Sequence, residues 1–196
     1  MTPLRATFEE NVWKRVLSLD EWLLLSVQRW QSRLMTRLMR SITHLGDPAS
    51  WVLVGLALGF SGDDGPRYCA LLGAAAGLAL AGSQLLKRVC CRRRPDCGIG
   101  GFAALAENPD SFSFPSGHTA VAFAVAAAFA GQPLGILVLV FAAGIVVSRV
   151  YLGAHYPLDV AAGMLLGTVA GTVAKLLVVQ YPLLRFLGYA SLASVF

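Results

Sequence analysis

Charge is scarce in this chain of 196 residues, in which Asp, Glu, Lys and Arg together make up 14%. Soluble domains carry about 25% charged residues. Apolar residues make up 56%, which excludes intrinsic disorder because disordered chains need few apolar residues and many charges. So much apolar surface cannot all be buried in one small core. The composition therefore favours a single-domain membrane protein over an ordinary soluble domain.

Cysteine is also sparse, and its four positions do not form a recognisable metal site. Cys69 lies in an apolar run, whereas Cys90, Cys91 and Cys97 crowd one short basic loop. The spacing C-C-x5-C matches no common zinc pattern, and no histidine lies nearby in the sequence. We interpret the four thiols as incidental, with a disulfide between Cys97 and either Cys90 or Cys91 as the alternative.

Signals for secretion and for β-structure are absent as well. The N-terminal residues contain no apolar stretch ahead of a small-residue cleavage site, so no signal peptide is expected. No segment shows a strong strand pattern. The net charge of +5 fits anionic lipid or an anionic substrate. Nucleic acid is disfavoured as a partner because most of the chain has membrane character.

Five apolar segments predict membrane-spanning helices, separated by turn-forming residues. They are residues 49–60, 67–86, 114–130, 134–152 and 156–179. The second is about 20 residues long, enough to cross a hydrocarbon core of about 30 Å, whereas the first is short for a span. Small residues four apart predict close packing between helices. These are Gly55/Gly59, Gly73/Gly77 and Gly163/Gly167/Gly171.

The segment 21–45 differs from the others because it carries one apolar stripe and one arginine stripe. Four arginines argue against a span, since each costs about 2.5–3.5 kcal/mol at mid-membrane. We predict an amphipathic helix in the membrane interface, with a tilted, partly inserted helix as the alternative. The predicted fold is all-α: an arm and interface helix over 1–45, then a transmembrane bundle of five to six helices over 46–196. Residues 183–196 are expected to return to the interface.

Counting spans from the turn at residues 61–66 places four helix ends on one face of the membrane. Ionisable residues in or beside spans are costly, so their presence there favours a functional site. The candidate site residues at these ends are Lys87, Arg94, Ser116, Gly117, His118, Arg149, His155 and Asp159.

His155 and Asp159 lie four residues apart, which places them on one face of a helix start. A carboxylate that accepts from one ring nitrogen leaves the other nitrogen as a nucleophile or base. The alternative is a helix-start Asp and an interfacial His. The turn at 115–118 begins another helix, where free N–H groups suit an anion and His118 could donate a proton.

Lys87, Arg94 and Arg149 place three cations on the same face, which suits a doubly charged phosphoryl group. The alternative is contact with lipid headgroups or a topology signal. We assign that alternative to Arg88, Arg92 and Arg93, and we interpret His44 as an interfacial residue.

Together these residues form three ordered blocks: Lys87-x6-Arg94-Pro95, Pro115-Ser116-Gly117-His118 and Ser148-Arg149-x5-His155-x3-Asp159. They resemble the signature of the type 2 phosphatidic acid phosphatase family. The resemblance implies that His155 forms a phosphohistidine, that Asp159 orients it and that His118 protonates the leaving oxygen and then activates water. It also implies that Lys87, Arg94, Arg149, the Ser116 hydroxyl and the Gly117 N–H hold the phosphoryl group, with Ser148 as a support. No metal or other cofactor is implied.

The resemblance implies an integral membrane phosphatase acting on a lipid phosphate or diphosphate, of the undecaprenyl diphosphate, phosphatidylglycerophosphate or phosphatidate type. Transfer of the phosphoryl group to another acceptor is a second hypothesis, and a non-catalytic protein that binds lipid headgroups is a third. We expect a bacterial cytoplasmic membrane. If segment 21–45 lies on the membrane surface, the positive-inside rule places the site in the cytoplasm, whereas the resemblance to bacterial lipid phosphatases favours the periplasm. The side of the site therefore stays undetermined, as does the oligomeric state.

Overall fold

The structure is a computed structural model that describes residues 3–106 and 110–180, with side chains over 12–106 and 110–178. The described residues form helices and no strand, with one isolated bridge between Arg93 and Phe112. The all-α prediction is therefore confirmed for this part of the chain. The helices are α1 (Pro3–Gln28), α2 (Arg33–Leu45), α3 (Pro48–Gly59), α4 (Gly65–Cys90), α5 (Pro95–Gly98), α6 (Gly117–Ala128), α7 (Gly135–Tyr151) and α8 (Pro157–Gln180).

Two of the described helices are long and apolar enough to cross a membrane, namely α4 and the Pro157–Val178 part of α8. Three shorter apolar helices, α3, α6 and α7, match the other predicted spans in position. At 1.5 Å per residue the 12-residue helices α3 and α6 reach about 18 Å, which is less than a hydrocarbon core of about 30 Å. The count of five to six spans therefore stays a prediction.

Helix α6 lies at the centre of the bundle, in contact with α4, α7 and α8, and its buried face consists mainly of alanine. A Cβ added at Gly163, Gly167 or Gly171 of α8 would meet the α6 backbone at the carbonyl oxygens of residues 116, 120 and 124. This confirms the predicted close packing for α8. The prediction is wrong for Gly73 and Gly77 of α4, because a Cβ at either position has no neighbour within 4 Å.

The predicted single helix over residues 21–45 is interrupted, and this prediction is therefore wrong. Helix α1 ends at Gln28, and Ser32 caps α2 by accepting a bond from the Met35 N–H at 3.3 Å. The break packs on the end of α7, where Gln28 Nε2 donates to the Tyr151 carbonyl at 3.0 Å and the Ser32 N–H donates to the Tyr151 hydroxyl at 2.9 Å. Tertiary hydrogen bonds thus replace about one turn of helix, over residues 29–32.

The interfacial position of residues 21–45 and the division at residues 45 and 46 stay predictions. The segment 183–196 lies outside the described residues. All four cysteines are free thiols, so the alternative of a disulfide at Cys97 is not realised in this structure.

Candidate active site

Six of the eight predicted site residues line one cavity of about 1240 Å³. They reach it from three helices and two loops, because the segments that carry them meet at the same end of the bundle. The six are Lys87, Arg94, Gly117, His118, Arg149 and His155. Ser116 and Asp159 are fully buried behind the cavity wall.

His155 lies in the loop between α7 and α8 and is 1% exposed. Its Nε2 is 3.4 Å from Arg94 Nη1, and its Nδ1 is 3.7 Å from Asp159 Oδ2, longer than a hydrogen bond. Burial lowers the pKa of His155 well below its ordinary value, and the nearby charges of Arg149 and Arg94 lower it further. The imidazole is therefore neutral at neutral pH, which is the form that a nucleophile needs.

Asp159 is held in the first turn of α8 by three contacts. Its Oδ1 accepts from Arg92 Nη1 at 2.7 Å, and its Oδ2 accepts from the Tyr156 N–H at 2.9 Å. Its main-chain oxygen accepts from the Ser116 N–H at 2.9 Å. Asp159 thus connects the start of α8, the start of α6 and the loop that follows α4.

The interpretation of Arg92 as a residue that contacts lipid headgroups is wrong, because its guanidinium forms ion pairs inside the protein. Its side chain is 20% exposed and forms ion pairs with Asp159 and, at 2.6 Å, with Asp20 of α1. Its guanidinium also lies 4.1 Å from the centre of the Tyr156 ring. No local pattern indicates the contact with Asp20, because the two partners are 72 residues apart and neither belongs to a recognisable motif.

Lys87 and Arg94 share the carboxylate of Asp110, which sequence reasoning did not single out. Arg94 Nε also donates to the Asp110 carbonyl at 2.8 Å, and Arg94 Nη1 donates to the Ala154 carbonyl at 2.8 Å. Burial would raise the pKa of Asp110, but hydrogen bonds from Lys87 and Arg94 outweigh it and hold this pKa below its ordinary value. The two cations are thus arranged around an oxyanion.

His118 is paired with Asp47, a residue that the sequence analysis did not assign to the site. His118 Nε2 lies 2.8 Å from Asp47 Oδ1, and His44 Nδ1 lies 3.1 Å from Asp47 Oδ2. Asp47 precedes α3, but its side chain makes no capping bond there. Burial would raise the pKa of Asp47, whereas hydrogen bonds with His118 and His44 outweigh it and lower this pKa. The pair Asp47-Pro48 is typical of a helix start, but this local pattern gives no indication of the contact with His118.

The remaining predicted residues surround the cavity at different depths. Arg149 is 3% exposed and donates from Nη1 to Thr43 Oγ1 at 2.9 Å. The Ser116 hydroxyl accepts from Thr119 Oγ1 at 3.0 Å, so its predicted contact with a phosphoryl group stays a prediction. Ser148 is buried and donates to the Ile145 carbonyl at 2.7 Å. His44 is exposed, as an interfacial residue would be.

Among the described side chains, no group of three or more His, Cys, Asp or Glu residues is placed to hold a metal ion. The cavity instead combines three cations with a buried neutral imidazole and a second imidazole on a carboxylate. Fold and cavity together define a helical membrane protein with a site suited to an oxyanion.

Comparison with known proteins identifies the family. The PAP2 superfamily profile matches residues 68–182, which contain all three blocks of the predicted signature. The chain is 34% identical over 136 residues to a decaprenylphosphoryl-5-phosphoribose phosphatase of Mycobacterium tuberculosis, covering 68% of this chain and 75% of the relative. It is 32% identical over 148 residues to a lipid A 1-phosphatase of Rhizobium johnstonii, covering 64% and 61%.

A solved structure agrees with this result. The chain matches a transmembrane PAP2-type phosphatidylglycerolphosphate phosphatase from Bacillus subtilis with a TM-score of 0.69 and 29% identity, over 82% of this chain and 85% of that one. The chain therefore belongs to the PAP2 superfamily and is a membrane phosphatase, which confirms the family resemblance.

Proposed function

We propose that the protein hydrolyses a lipid phosphate or diphosphate through a phosphohistidine at His155, without a metal ion. The observation that carries this proposal is the shared cavity, in which the buried neutral imidazole of His155 lies with the cationic side chains of Lys87, Arg94 and Arg149. Hydrolysis is favoured over transfer because the named relatives are phosphatases.

In the first step, Nε2 of His155 attacks phosphorus and the bond from phosphorus to the lipid oxygen breaks. His118 donates a proton to that oxygen, and the alcohol or phosphate leaves. In the second step, His118 accepts a proton from water, the water oxygen attacks phosphorus and the nitrogen–phosphorus bond breaks. Lys87, Arg94 and Arg149 balance the charge on the phosphoryl oxygens in both steps. Substrate oxygens replace the Asp110 carboxylate on Lys87 and Arg94.

The same cavity offers room for a lipid tail. From the cations it continues between α3 and α4 along an apolar lining that includes Leu56, Leu72 and Leu80. Gly73 and Gly77 lie on this wall, where the absence of side chains leaves space. A polyprenyl or acyl tail fits such a groove, in line with the lipid substrates that the relatives' names state. We place the protein in the bacterial cytoplasmic membrane.

Phosphate release in excess EDTA tests the reaction. Purified protein is assayed with lipid phosphates and diphosphates beside His155→Ala. The control variant is His44→Ala, at an exposed histidine that lines the same cavity but belongs to none of the three signature blocks. We expect release that survives EDTA, is lost in His155→Ala and persists in His44→Ala. Acid-labile radiolabel on the protein after rapid quenching would report the phosphohistidine. Substantial release by folded His155→Ala would refute the proposed nucleophile.

Tail binding is tested separately with Gly77→Leu, which fills the groove without touching the cations. Ala81→Leu is the matched control, since Ala81 is exposed on the same helix and does not line the cavity. We expect kcat/KM for a long-tailed substrate to fall about tenfold or more in Gly77→Leu, and kcat/KM for a short-tailed substrate with the same headgroup to stay within about twofold. Equal losses for both tails would contradict the groove assignment.

A further inference from the structure

Behind the cavity lies a buried chain of three charged residues, Asp20, Arg92 and Asp159, which links α1 to the first turn of α8. We propose that Asp20 and Arg92 are positioning residues of the phosphatase site, and that Asp20 acts on Asp159 through Arg92. This inference rests on the proposed role of His155 as nucleophile. It assigns a function in the reaction to α1, which lies outside the residues that the family profile matches.

The geometry of the three residues is well defined. Arg92 donates from Nη1 to Asp159 at 2.7 Å and from Nη2 to Asp20 at 2.6 Å, so the two ends of its planar fork hold one carboxylate each. The second oxygen of Asp20 accepts from the Leu158 N–H at 2.8 Å, at the start of α8. Asp20 and Asp159 are 2% and 0% exposed. Each carboxylate is thus anchored at both of its oxygens.

The charges of these three residues explain how they would assist phosphorylation of His155. With both carboxylates ionised, the three residues carry a net charge of −1, and Asp159, the member next to His155, lies on its Nδ1 side at 3.7 Å. The opposite side of His155 carries Arg94, and Arg149 and Lys87 add further positive charge. Phosphorylation at Nε2 makes the ring cationic while it carries the phosphoryl group. A nearby excess negative charge stabilises that ring, whereas Arg92 alone would cancel the charge of Asp159.

Asp20 therefore has two effects that depend on Arg92. It divides the positive charge of Arg92 between two carboxylates, so that Asp159 keeps more of its effect on His155. It also fixes the fork, and hence the position of Asp159 Oδ1. Both effects act on Asp159 and not on the substrate. We therefore expect substrate binding to change little in Asp20→Asn.

A double-mutant cycle with Asp20→Asn, Arg92→Gln and the double variant tests this coupling. We expect Asp20→Asn to lower kcat about tenfold or more while KM stays within about twofold, because contacts that orient a reacting group typically contribute about 10- to 100-fold. In the Arg92→Gln background, Asp20→Asn should have little further effect. Glu21→Gln is the matched control, an exposed carboxylate next to Asp20 on α1, and should keep full activity.

A purely structural role for Asp20 would give a different result. Loss of its bond to the Leu158 N–H would lower thermal stability, and its effect on kcat would add to that of Arg92→Gln. Additive effects, or an unchanged kcat in folded Asp20→Asn, would overturn the inference. If His155→Ala with Asp20 and Arg92 intact keeps its activity, the proposed function fails instead, so the two failures are distinguishable.

Discussion

At the scale of the residue, the environment of His155 determines which protonation state the site presents. The side chain is buried among Arg94, Arg149 and Lys87, and burial is the largest cause that lowers its pKa. A lowered pKa means that the folded protein holds this ring neutral at a pH where an ordinary histidine, with a pKa of about 6.5, is half protonated. The nucleophile is therefore available without a separate base to deprotonate it.

This state of His155 can be observed directly. In nitrogen-15 spectra of histidine-labelled protein in detergent, the His155 signals should remain those of a neutral ring as the pH falls through 6.5. The signals are assigned by their loss in His155→Gln. Since the unfolded chain binds a proton at this pH and the folded chain does not, protonation of this group favours unfolding below about pH 6.5. Titration of His155 near 6.5 would contradict the assignment.

The contact between Asp47 and His118 gives a second prediction at this scale. Asp47→Asn keeps the shape of the side chain but removes the charge that faces His118 at 2.8 Å. A hydrogen bond to a charged group contributes about 1.5–3 kcal/mol, so we expect kcat to fall about 10- to 100-fold with little change in KM. His44→Ala removes the other partner of Asp47 and should leave kcat near the wild-type value. A larger loss in His44→Ala than in Asp47→Asn would contradict this role.

At the scale of the element, α6 and α8 approach each other more closely than side chains allow. A Cβ on Gly171 would clash with the carbonyl oxygen of Ala124, whereas a Cβ on Gly73 of α4 would meet nothing within 4 Å. The same spacing of small residues therefore has two uses in this bundle. On α8 it lets two backbones pack, and on α4 it widens the cavity.

Alanine substitutions at Gly171 and Gly73 should distinguish helix packing on α8 from widening of the cavity on α4. Gly171→Ala forces α6 and α8 apart and should destabilise the fold by about 1–3 kcal/mol, seen as a lower midpoint of thermal unfolding in detergent. Gly73→Ala should leave the midpoint unchanged or raise it, because alanine is favoured over glycine in a helix by about 1 kcal/mol. A drop of equal size in both variants would show that Gly73 also packs against a neighbour.

At the scale of the whole molecule, the six predicted site residues that line the cavity lie at one end of the bundle. Helix α4 has 26 residues and is about 39 Å long, so its first and last turns are separated by more than a hydrocarbon core of about 30 Å. Asp63 precedes its first turn, and the exposed thiol of Cys97 follows its last turn. The two positions should face opposite sides of the membrane.

Labelling with a membrane-impermeant thiol reagent tests this arrangement. One variant carries Asp63→Cys in a cysteine-free background, and the other keeps Cys97 alone. We expect the two to be labelled from opposite sides of sealed cells or inverted vesicles. The side on which Cys97 reacts is then the side of the active site. Labelling of both from the same side would refute the predicted topology of α4.

The sequence by itself determined the membrane character, the helical fold, the family and the eight candidate residues. Composition and short-range spacing carry that information, because apolar runs, helix periodicity and the three signature blocks are local properties of the chain. Only the tertiary structure decided which side chains meet. Asp20, Asp47 and Asp110 reach the site residues through contacts between segments far apart in sequence, and no local pattern marks them. The same is true of Gly73, since whether a small residue packs a helix or opens a cavity depends on the neighbouring helix and not on its own spacing.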